Sequence, residues 1–177
     1  TAFAMAWRRL AADYYNLNAG YPIQVDAATR AFNHRDRLPP LERYLTEGYY
    51  YSSANIRDLS KSIAAYRAAQ EYAPGDVTAT NNLGLELIRV GQFAAAESLL
   101  RAGMMAKPSM IQADNLVDAL VAQEKWSGLD TVFRQADSSS PPDHPGRITI
   151  RLSAALAHRD YVRAESLIAG HEPRSGA

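Results

Sequence analysis

Histidine is the residue of this chain best suited to acid–base or metal chemistry. The sequence contains four, His34, His144, His158 and His171. A helical metal site needs two such ligands three or four residues apart, and no pair has that spacing. Cysteine is absent, which excludes a thiolate metal site. A catalytic site also needs several convergent groups. We therefore expect no metal, no cofactor and no catalytic residue.

The triplet His-Arg-Asp occurs twice, at His34–Asp36 and at His158–Asp160. In protein kinases this triplet belongs to the catalytic loop, where an asparagine follows it downstream. Neither copy has that asparagine, and the chain contains no Asp-Phe-Gly. Both copies are therefore interpreted as turns or helix ends, and the chain is predicted not to be an enzyme.

The composition excludes two other classes of partner. Lys plus Arg and Asp plus Glu each number 19, so the net charge is zero. A nucleic-acid-binding protein needs a basic surface, and an anionic membrane attracts basic segments. No stretch approaches the 18 or so apolar residues of a membrane span. Hydrophobic residues make up 47% of the 177 residues, which is enough to bury a core.

The elements that carry these residues are predicted to be helices. Between 81 and 108, one apolar stripe of helical period precedes Gly91 and a second follows it. Gly91 can adopt the left-handed conformation that ends a helix. Pro108 lies just past the second stripe and cannot continue it. The stretch predicts a helix–turn–helix hairpin of about 34 residues, a length typical of stacked helical repeats.

The same pattern recurs along the chain, because Pro74, Pro108 and Pro141 end similar stretches at intervals of 34 and 33 residues. A large residue stands 15 positions before each proline, a bulky one 8 before and a small one 5 before. These columns are Leu59, Phe93 and Trp126; Tyr66, Leu100 and Phe133; and Ala69, Gly103 and Ala136. We predict a single repeat domain over 1–177 with repeats at about 1–39, 40–76, 77–109, 110–143 and 144–177. In the outer repeats, helices are expected at about 25–35, 146–158 and 160–170.

The central repeat resembles the tetratricopeptide repeat (TPR), whose first helix carries Trp-x-x-Leu-Gly-x-x-Tyr and whose second helix carries spaced Ala, Phe and Ala before a proline. The matching residues here are Leu83, Gly84, Leu87, Phe93, Ala96, Leu100, Gly103 and Pro108, with Thr80 in place of Trp. The resemblance implies an all-α, right-handed superhelical solenoid of stacked antiparallel helix pairs. Gly84 and Gly103 are expected where helices cross closely.

A narrower resemblance concerns the segment from Ala31 to Asp76. It is similar to the repeat arrays of some bacterial serine/threonine protein kinases, in which an Arg-Asp-Arg segment leads into a helix rich in Glu and Tyr. This resemblance implies a piece of a larger bacterial signalling protein, with a soluble domain on the cytoplasmic or the extracytoplasmic side. Thr1 begins inside a helical pattern, which also suggests a piece of a longer protein.

The TPR resemblance implies a concave groove lined by the first helix of each repeat. In the segment "GYYYSSAN", Tyr49 and Tyr50 are expected to pack inward and Tyr51 to face the groove. The phase of the signature predicts these groove residues: Arg8, Tyr15, Tyr44, Glu47, Tyr51, Asn55, Asn81, Leu85, Arg89, Asp114 and Asp118. Tyrosine and asparagine suit the binding of an extended peptide. Glu47 and Asp114 stand at clamp positions that would be lysine in the carboxylate-binding subtype, which disfavours that subtype.

The predicted function is a non-catalytic scaffold that binds a protein or peptide ligand in the groove. The alternative is a structural module that self-associates as a homo-oligomer. Exposure of an apolar residue of the last helix, such as Ile168, would favour that alternative. The ligand, the parent protein and the compartment stay open.

Overall fold

A computed structural model describes residues 2–17, 19–53 and 57–170, and its secondary structure is helical throughout that part of the chain, without strands. The predicted all-α fold is confirmed. Within these ranges ten α-helices follow one another: α1 Ala2–Asn16, α2 Tyr21–Asn33, α3 Pro40–Ser53, α4 Leu59–Tyr72, α5 Val77–Arg89, α6 Phe93–Ala106, α7 Met110–Val121, α8 Leu129–Ser138, α9 Gly146–Ala157 and α10 Tyr161–Ala169. Short 3₁₀ turns cover Arg35–Arg37 and Trp126–Gly128.

The chain forms two compact units, residues 1–90 and 91–177. In the first unit α1 packs on α2, α2 on α3, α3 on α4, and α4 on α5. In the second unit α6 packs on α7, α7 packs on both α8 and α9, and α9 packs on α10. Each unit therefore shows the nearest-neighbour packing of a helical repeat protein. Gly84 lies in the first unit and Gly103 in the second. The close helix crossings expected at these two glycines stay predictions, as does the single repeat domain.

Side-chain caps start several of the helices. Asp58, Asp76, Ser109 and Asp160 each accept a hydrogen bond from the backbone N–H three residues further on. Such a bond satisfies one of the four N–H groups that a helix leaves free at its start. The helix α2 begins at Tyr21, earlier than the expected residue 25, because Pro22 is compatible with the first turn of a helix.

Three of the turns between helices share one backbone conformation. Gly91 follows α5 with a φ of 77°, Glu124 follows α7 with 56°, and Arg159 follows α9 with 59°. The left-handed stop predicted at Gly91 is therefore confirmed. Left-handed φ values cost a residue with a side chain about 1 kcal/mol or more, whereas glycine adopts them freely. The repeat imposes this conformation even where the sequence has no glycine.

The first unit is packed around small residues. Ala11, Ala27 and Ala28 are buried between α1 and α2, and Trp7 and Tyr49 pack against them. The absence of large side chains at these three positions lets the helix backbones approach closely. Burial of the adjoining rings supplies the apolar area that stabilises the contact, at about 25 cal/mol per Å².

The second unit has a more aliphatic core. Leu100 of α6, Leu116 and Leu120 of α7, Val132 of α8 and Ile150 of α9 are completely buried. Because α7 contributes two of these residues and packs on three other helices, it is the central helix of this unit.

Candidate ligand-binding surface

Polar side chains join the first helices of successive repeats in the first unit. An Arg8 Nη2–H of α1 donates to Glu42 Oε2 of α3. Ser52 Oγ of α3 donates to Glu86 Oε1 of α5 at 2.5 Å. Each contact joins residues 34 positions apart, which is the interval between Pro74 and Pro108. The helices α1, α3 and α5 therefore repeat in space with the period seen in the sequence.

Glu86 is the most buried carboxylate of this network, with 1% of its surface exposed. Its Oε1 accepts from Ser52 and from Arg89 Nη1, the latter at 2.8 Å, and Arg89 Nη1 also lies 2.8 Å from Ser52 Oγ. Glu86 Oε2 has no hydrogen-bond partner among the described residues. Arg89, which the sequence predicts in the groove, therefore forms an ion pair with Glu86 within the fold.

Arg8 and Glu47 are also engaged within the first unit. Arg8 pairs with Glu42, and both side chains are mostly buried. Arg35 Nε of the 3₁₀ turn lies 3.3 Å from Glu47 Oε1, and the same guanidinium stacks over Phe32 with its carbon 3.8 Å from the ring centroid. The structure thus gives the three charged groove candidates of this unit, Arg8, Glu47 and Arg89, partners from the fold itself.

Tyr44 and Tyr51 contact second helices rather than only the first-helix side. Tyr44 meets Tyr72 of α4 edge-on with centroids 6.5 Å apart. Tyr51 lies 5.5 Å from Phe32 of α2 and 5.3 Å from Lys61 Nζ of α4. The predicted groove position of both tyrosines stays a prediction.

The connector after α3 is longer than the connector after α5. Five residues separate α3 from α4, whereas three separate α5 from α6. The Tyr66 ring of α4 packs against Gly48 of α3. Tyr50 stacks on Phe32 with centroids 4.0 Å apart.

The other candidates of the first unit have separate surroundings. Tyr15 is exposed beside the α1–α2 turn, in a pocket of about 210 Å³ that it shares with Tyr14, Tyr21 and Gln24. Asn81 and Leu85 are half-buried on α5, and Asn81 Nδ2 donates to Asn82 Oδ1 at 3.2 Å. Asn55 lies outside the described residues.

The candidates of the second unit are two carboxylates one helical turn apart on α7. Asp114 and Asp118 are exposed, and among the described residues neither forms an ion pair. Desolvation raises the pKa of the Asp114 carboxyl above its usual value. Desolvation and then the Asp114 charge raise the pKa of Asp118. Both carboxylates would gain from a cationic neighbour.

Tyr66 and Asn82 complete the polar network that sequence reasoning missed. The Tyr66 ring is buried, and its hydroxyl accepts from Asn82 Nδ2 at 3.2 Å. Burial, followed by the nearby Glu86 charge, raises the pKa of Tyr66. A charged residue within the apolar stripe between Leu83 and Leu87 was the only signal in the sequence for a buried Glu86.

Among the described residues, no group of three or more acidic or histidine side chains could hold a metal ion. No helix within the same ranges is long and apolar enough to cross a bilayer. The helix pairs, their nearest-neighbour packing and their 34-residue polar contacts define an α-helical repeat protein with a fold of the tetratricopeptide-repeat type.

Solved structures of MamA, a TPR-like helical protein, share this fold. MamA AMB-1 in space group P212121 has a TM-score of 0.57 and 16% sequence identity, covering 98% of this chain and 93% of MamA. MamA MSR-1 in space group C2 has a TM-score of 0.57 and 16% identity, covering 94% and 91%. No protein-family model and no curated protein matches the sequence. At this identity the likeness shows the fold alone, and it does not support the kinase-array resemblance.

Proposed function

We propose that the chain is a non-catalytic scaffold that binds a protein or peptide segment on the exposed sides of its first helices. One observation carries the proposal: polar contacts fix α1, α3 and α5 side by side. A surface held in this way loses little conformational freedom when a ligand binds, which favours affinity.

The residues left for a ligand are those that the scaffold does not engage through ion pairs. In the first unit these are Tyr15, which is exposed, and Leu85, which is half-buried. Tyr44, Tyr51, Asn81 and Asn55 stay within the proposed surface on the strength of the TPR resemblance. In the second unit Asp114 and Asp118 present two exposed carboxylates without an ion pair to any described residue, so the ligand segment for that unit is expected to carry lysine or arginine.

Selection from a random peptide library on the immobilised 177-residue chain would test the proposal. Peptides that survive would be labelled, and their Kd would be measured by fluorescence anisotropy against the chain and its variants. We expect Tyr15→Ala or Leu85→Ala to weaken binding about tenfold for peptides that occupy the first unit, because truncation of a central contact residue costs more than about 1 kcal/mol. For peptides on the second unit, Asp114→Asn with Asp118→Asn should reduce both affinity and its dependence on salt.

Arg67→Ala is the matched control, because Arg67 is exposed on the second helix α4 and forms no ion pair among the described residues. The control should leave every Kd unchanged. Selected peptides that bind all of these variants with equal affinity would contradict the proposed surface, and so would a selection that enriches no peptide.

Self-association is the second candidate function, and exposed apolar side chains favour it. Tyr161, Val162 and Ile168 of α10 are 60%, 80% and 49% exposed, and Leu156 of α9 is 49% exposed. We propose a second copy of the chain as the partner of this surface. Sedimentation should then show a concentration-dependent dimer that Val162→Glu abolishes, while a monomer at every concentration would exclude it.

The wider setting stays a prediction. Membership of a larger bacterial signalling protein rests on the resemblance of the Ala31–Asp76 segment, and the compartment of the chain stays open. A kinase, cyclase or DNA-binding domain encoded next to this sequence would support that setting.

A further inference from the structure

A pocket of the second unit lies between α8, α9 and the start of α10, beside the turn after α7 and the turn after α9. Its volume is about 210 Å³. Trp126 and Phe133 line one side, and Arg151, His158 and Arg163 line the other. We call it the turn pocket. It contains none of the predicted groove residues.

Aromatic rings and a guanidinium group form the walls of the turn pocket. The centroids of Trp126 and His158 are 4.4 Å apart, with the rings tilted by 54°. The Arg151 guanidinium carbon lies 4.9 Å from the Phe133 ring centroid, and Arg151 Nη2 donates to Asp137 Oδ2 at 2.7 Å. The Arg151 charge is therefore neutralised by the fold, and its plane serves as a wall.

The floor of the turn pocket is apolar. Leu129, Ala154 and Ala155 line it and are almost fully buried. Small residues at 154 and 155 leave the space that larger side chains would fill. An apolar group that enters would leave water and contact rings on two sides, which is favourable by about 25 cal/mol per Å².

The pocket is lined by one arginine without an ion pair to a described residue and by two carboxylates, those of Asp130 and Asp160. Arg163 lines the pocket, and among the described residues it forms no ion pair. Its backbone N–H donates to Asp160 Oδ1 at 3.1 Å, so the Asp160 carboxylate is used as the cap of α10. Asp130 of α8 also lines the pocket without an ion pair to any described residue, which disfavours a polyanion such as nucleic acid.

We propose that the turn pocket is a second binding site, which holds one apolar side chain of a partner protein with a carboxylate of that partner beside it, paired with Arg163. The pocket is smaller than the roughly 300 to 1,000 Å³ of sites that enclose small ligands, and a single anchoring side chain suits it better. The carboxylate comes from a chain terminus or from an adjacent Asp or Glu. This site is separate from the first-helix surface.

N-acetyl-phenylalanine is a suitable probe, because it combines one ring with one carboxylate. Titrated into the ¹⁵N-labelled 177-residue chain, it should shift the amide signals of residues 126–133 and 151–163 saturably, with a Kd in the millimolar range expected for so small a ligand. N-acetyl-phenylalanine amide, which lacks the carboxylate, should bind about tenfold more weakly because a charged hydrogen bond is lost. N-acetylglycine should not saturate the shifts.

The variant Arg163→Gln should bring the acid and the amide to the same Kd, whereas the control Arg134→Gln should keep the tenfold difference. Arg134 is exposed on α8 and does not line the pocket. Both substitutions are at exposed positions, and thermal unfolding of each variant would verify the fold.

Absence of saturable shifts at 126–133 and 151–163 would overturn the proposal, as would equal affinity of the acid and the amide for the unsubstituted chain. A comparison of the Kd of N-acetyl-Phe-Asp-amide with that of N-acetyl-phenylalanine shows whether an adjacent Asp or a chain terminus is the better source of the carboxylate. Saturable binding of either compound supports the site. Because the peptides selected above are assigned by variants of α1, α5 and α7, failure there and failure here are distinguishable.

Discussion

Replacing Gly48 by alanine tests the close contact between α3 and α4. A Cβ at this position would lie 2.6 Å from Cε1 and 2.7 Å from Cζ of the Tyr66 ring. The ring is 1% exposed, and its hydroxyl is bound by Asn82. Ser62 Oγ donates to the Gly48 carbonyl at 3.0 Å, which holds the backbone of α3 in place. Neither side of the contact can withdraw freely.

The expected change in the free energy of unfolding combines two costs and one gain. Forcing an extra methyl group into a packed core costs about 1 to 3 kcal/mol. A shift of the ring that breaks the Asn82 hydrogen bond costs about 1 kcal/mol more. Alanine gains about 1 kcal/mol over glycine inside a helix. We therefore expect Gly48→Ala to lower the free energy of unfolding by about 1 to 3 kcal/mol.

Urea unfolding of the first unit would measure this loss. Trp7 packs against the Ala11 core, so its fluorescence reports on that unit once Trp126 is replaced by phenylalanine. The decisive comparison is Gly48→Ala in a Tyr66→Leu background, where the clashing ring atoms are absent. There the sign should reverse, and the helix preference of alanine should stabilise the variant by up to about 1 kcal/mol.

Gly75→Ala is the control, because a Cβ at Gly75 meets no atom within 4 Å and its backbone is not left-handed. It should be neutral or slightly stabilising. If Gly48→Ala caused the same loss with Tyr66 present as in the Tyr66→Leu background, the reasoning would be refuted, since the cost would not then come from the ring.

Four further substitutions test charges and turns. The Glu97 carboxylate accepts hydrogen bonds from Lys125 at 2.7 Å and from Arg101 and Gln123 at 3.0 Å. The Lys125 hydrogen bond is the largest cause of the lowered pKa of Glu97. Glu97→Gln should therefore lower the free energy of unfolding by about 1 kcal/mol, after allowance for solvent screening. That difference, followed by urea unfolding across pH, should be full above the ordinary glutamate pKa and vanish as pH falls through the lowered one, whereas a pH-independent loss would contradict the ion pairs. Glu124→Gly should stabilise the fold by about 0.5 to 1 kcal/mol, because glycine adopts the left-handed φ without strain, while Gly91→Ala should destabilise the fold for the converse reason. A Glu124→Gly variant that is less stable would mean that the Glu124 side chain has a role of its own. Asp118→Asn should stabilise by about 0.3 kcal/mol at pH 7 by removing a like-charge neighbour, and because the pKa of Asp118 is raised, the gain should disappear below the ordinary aspartate pKa. A gain that persisted in acid would contradict that account.

The fold was largely predictable because helix ends and helix periods are local properties. In the structure α6 lies between Gly91 and Pro108, as the sequence predicted. Gly91 adopts the left-handed conformation that ends the preceding helix, and Pro108 cannot continue a helix. The sequence predicts a start of α2 near Val25, later than the observed start at Tyr21. The residues before Val25 are typical of a loop and include Pro22, but a proline is compatible with the first turn of a helix.

The candidate surface was less predictable because it depends on the rotation of each helix. Counting back from a proline assumes connectors of equal length, and the connector between α3 and α4 is two residues longer than that between α5 and α6. Tyr44 and Tyr51 contact α4 in the structure, and their place in a groove stays a prediction. The partners of Arg8 and Arg89 lie on other helices, where single-helix periodicity carries no information.

The polar contacts at an interval of 34 residues explain how apolar helices keep one register in the first unit. Apolar packing is non-directional, so alanine-rich faces such as that of Ala27 and Ala28 could slide along a neighbour at little cost. A hydrogen bond holds only within a few tenths of an ångström. Displacing α5 along α3 by one residue, about 1.5 Å, would break the contacts of Ser52 with Glu86 and Arg89 and leave a buried carboxylate without its hydroxyl partner. The register of α3 and α5, and with it the spacing of any residues that a ligand contacts on them, is therefore set by these side chains.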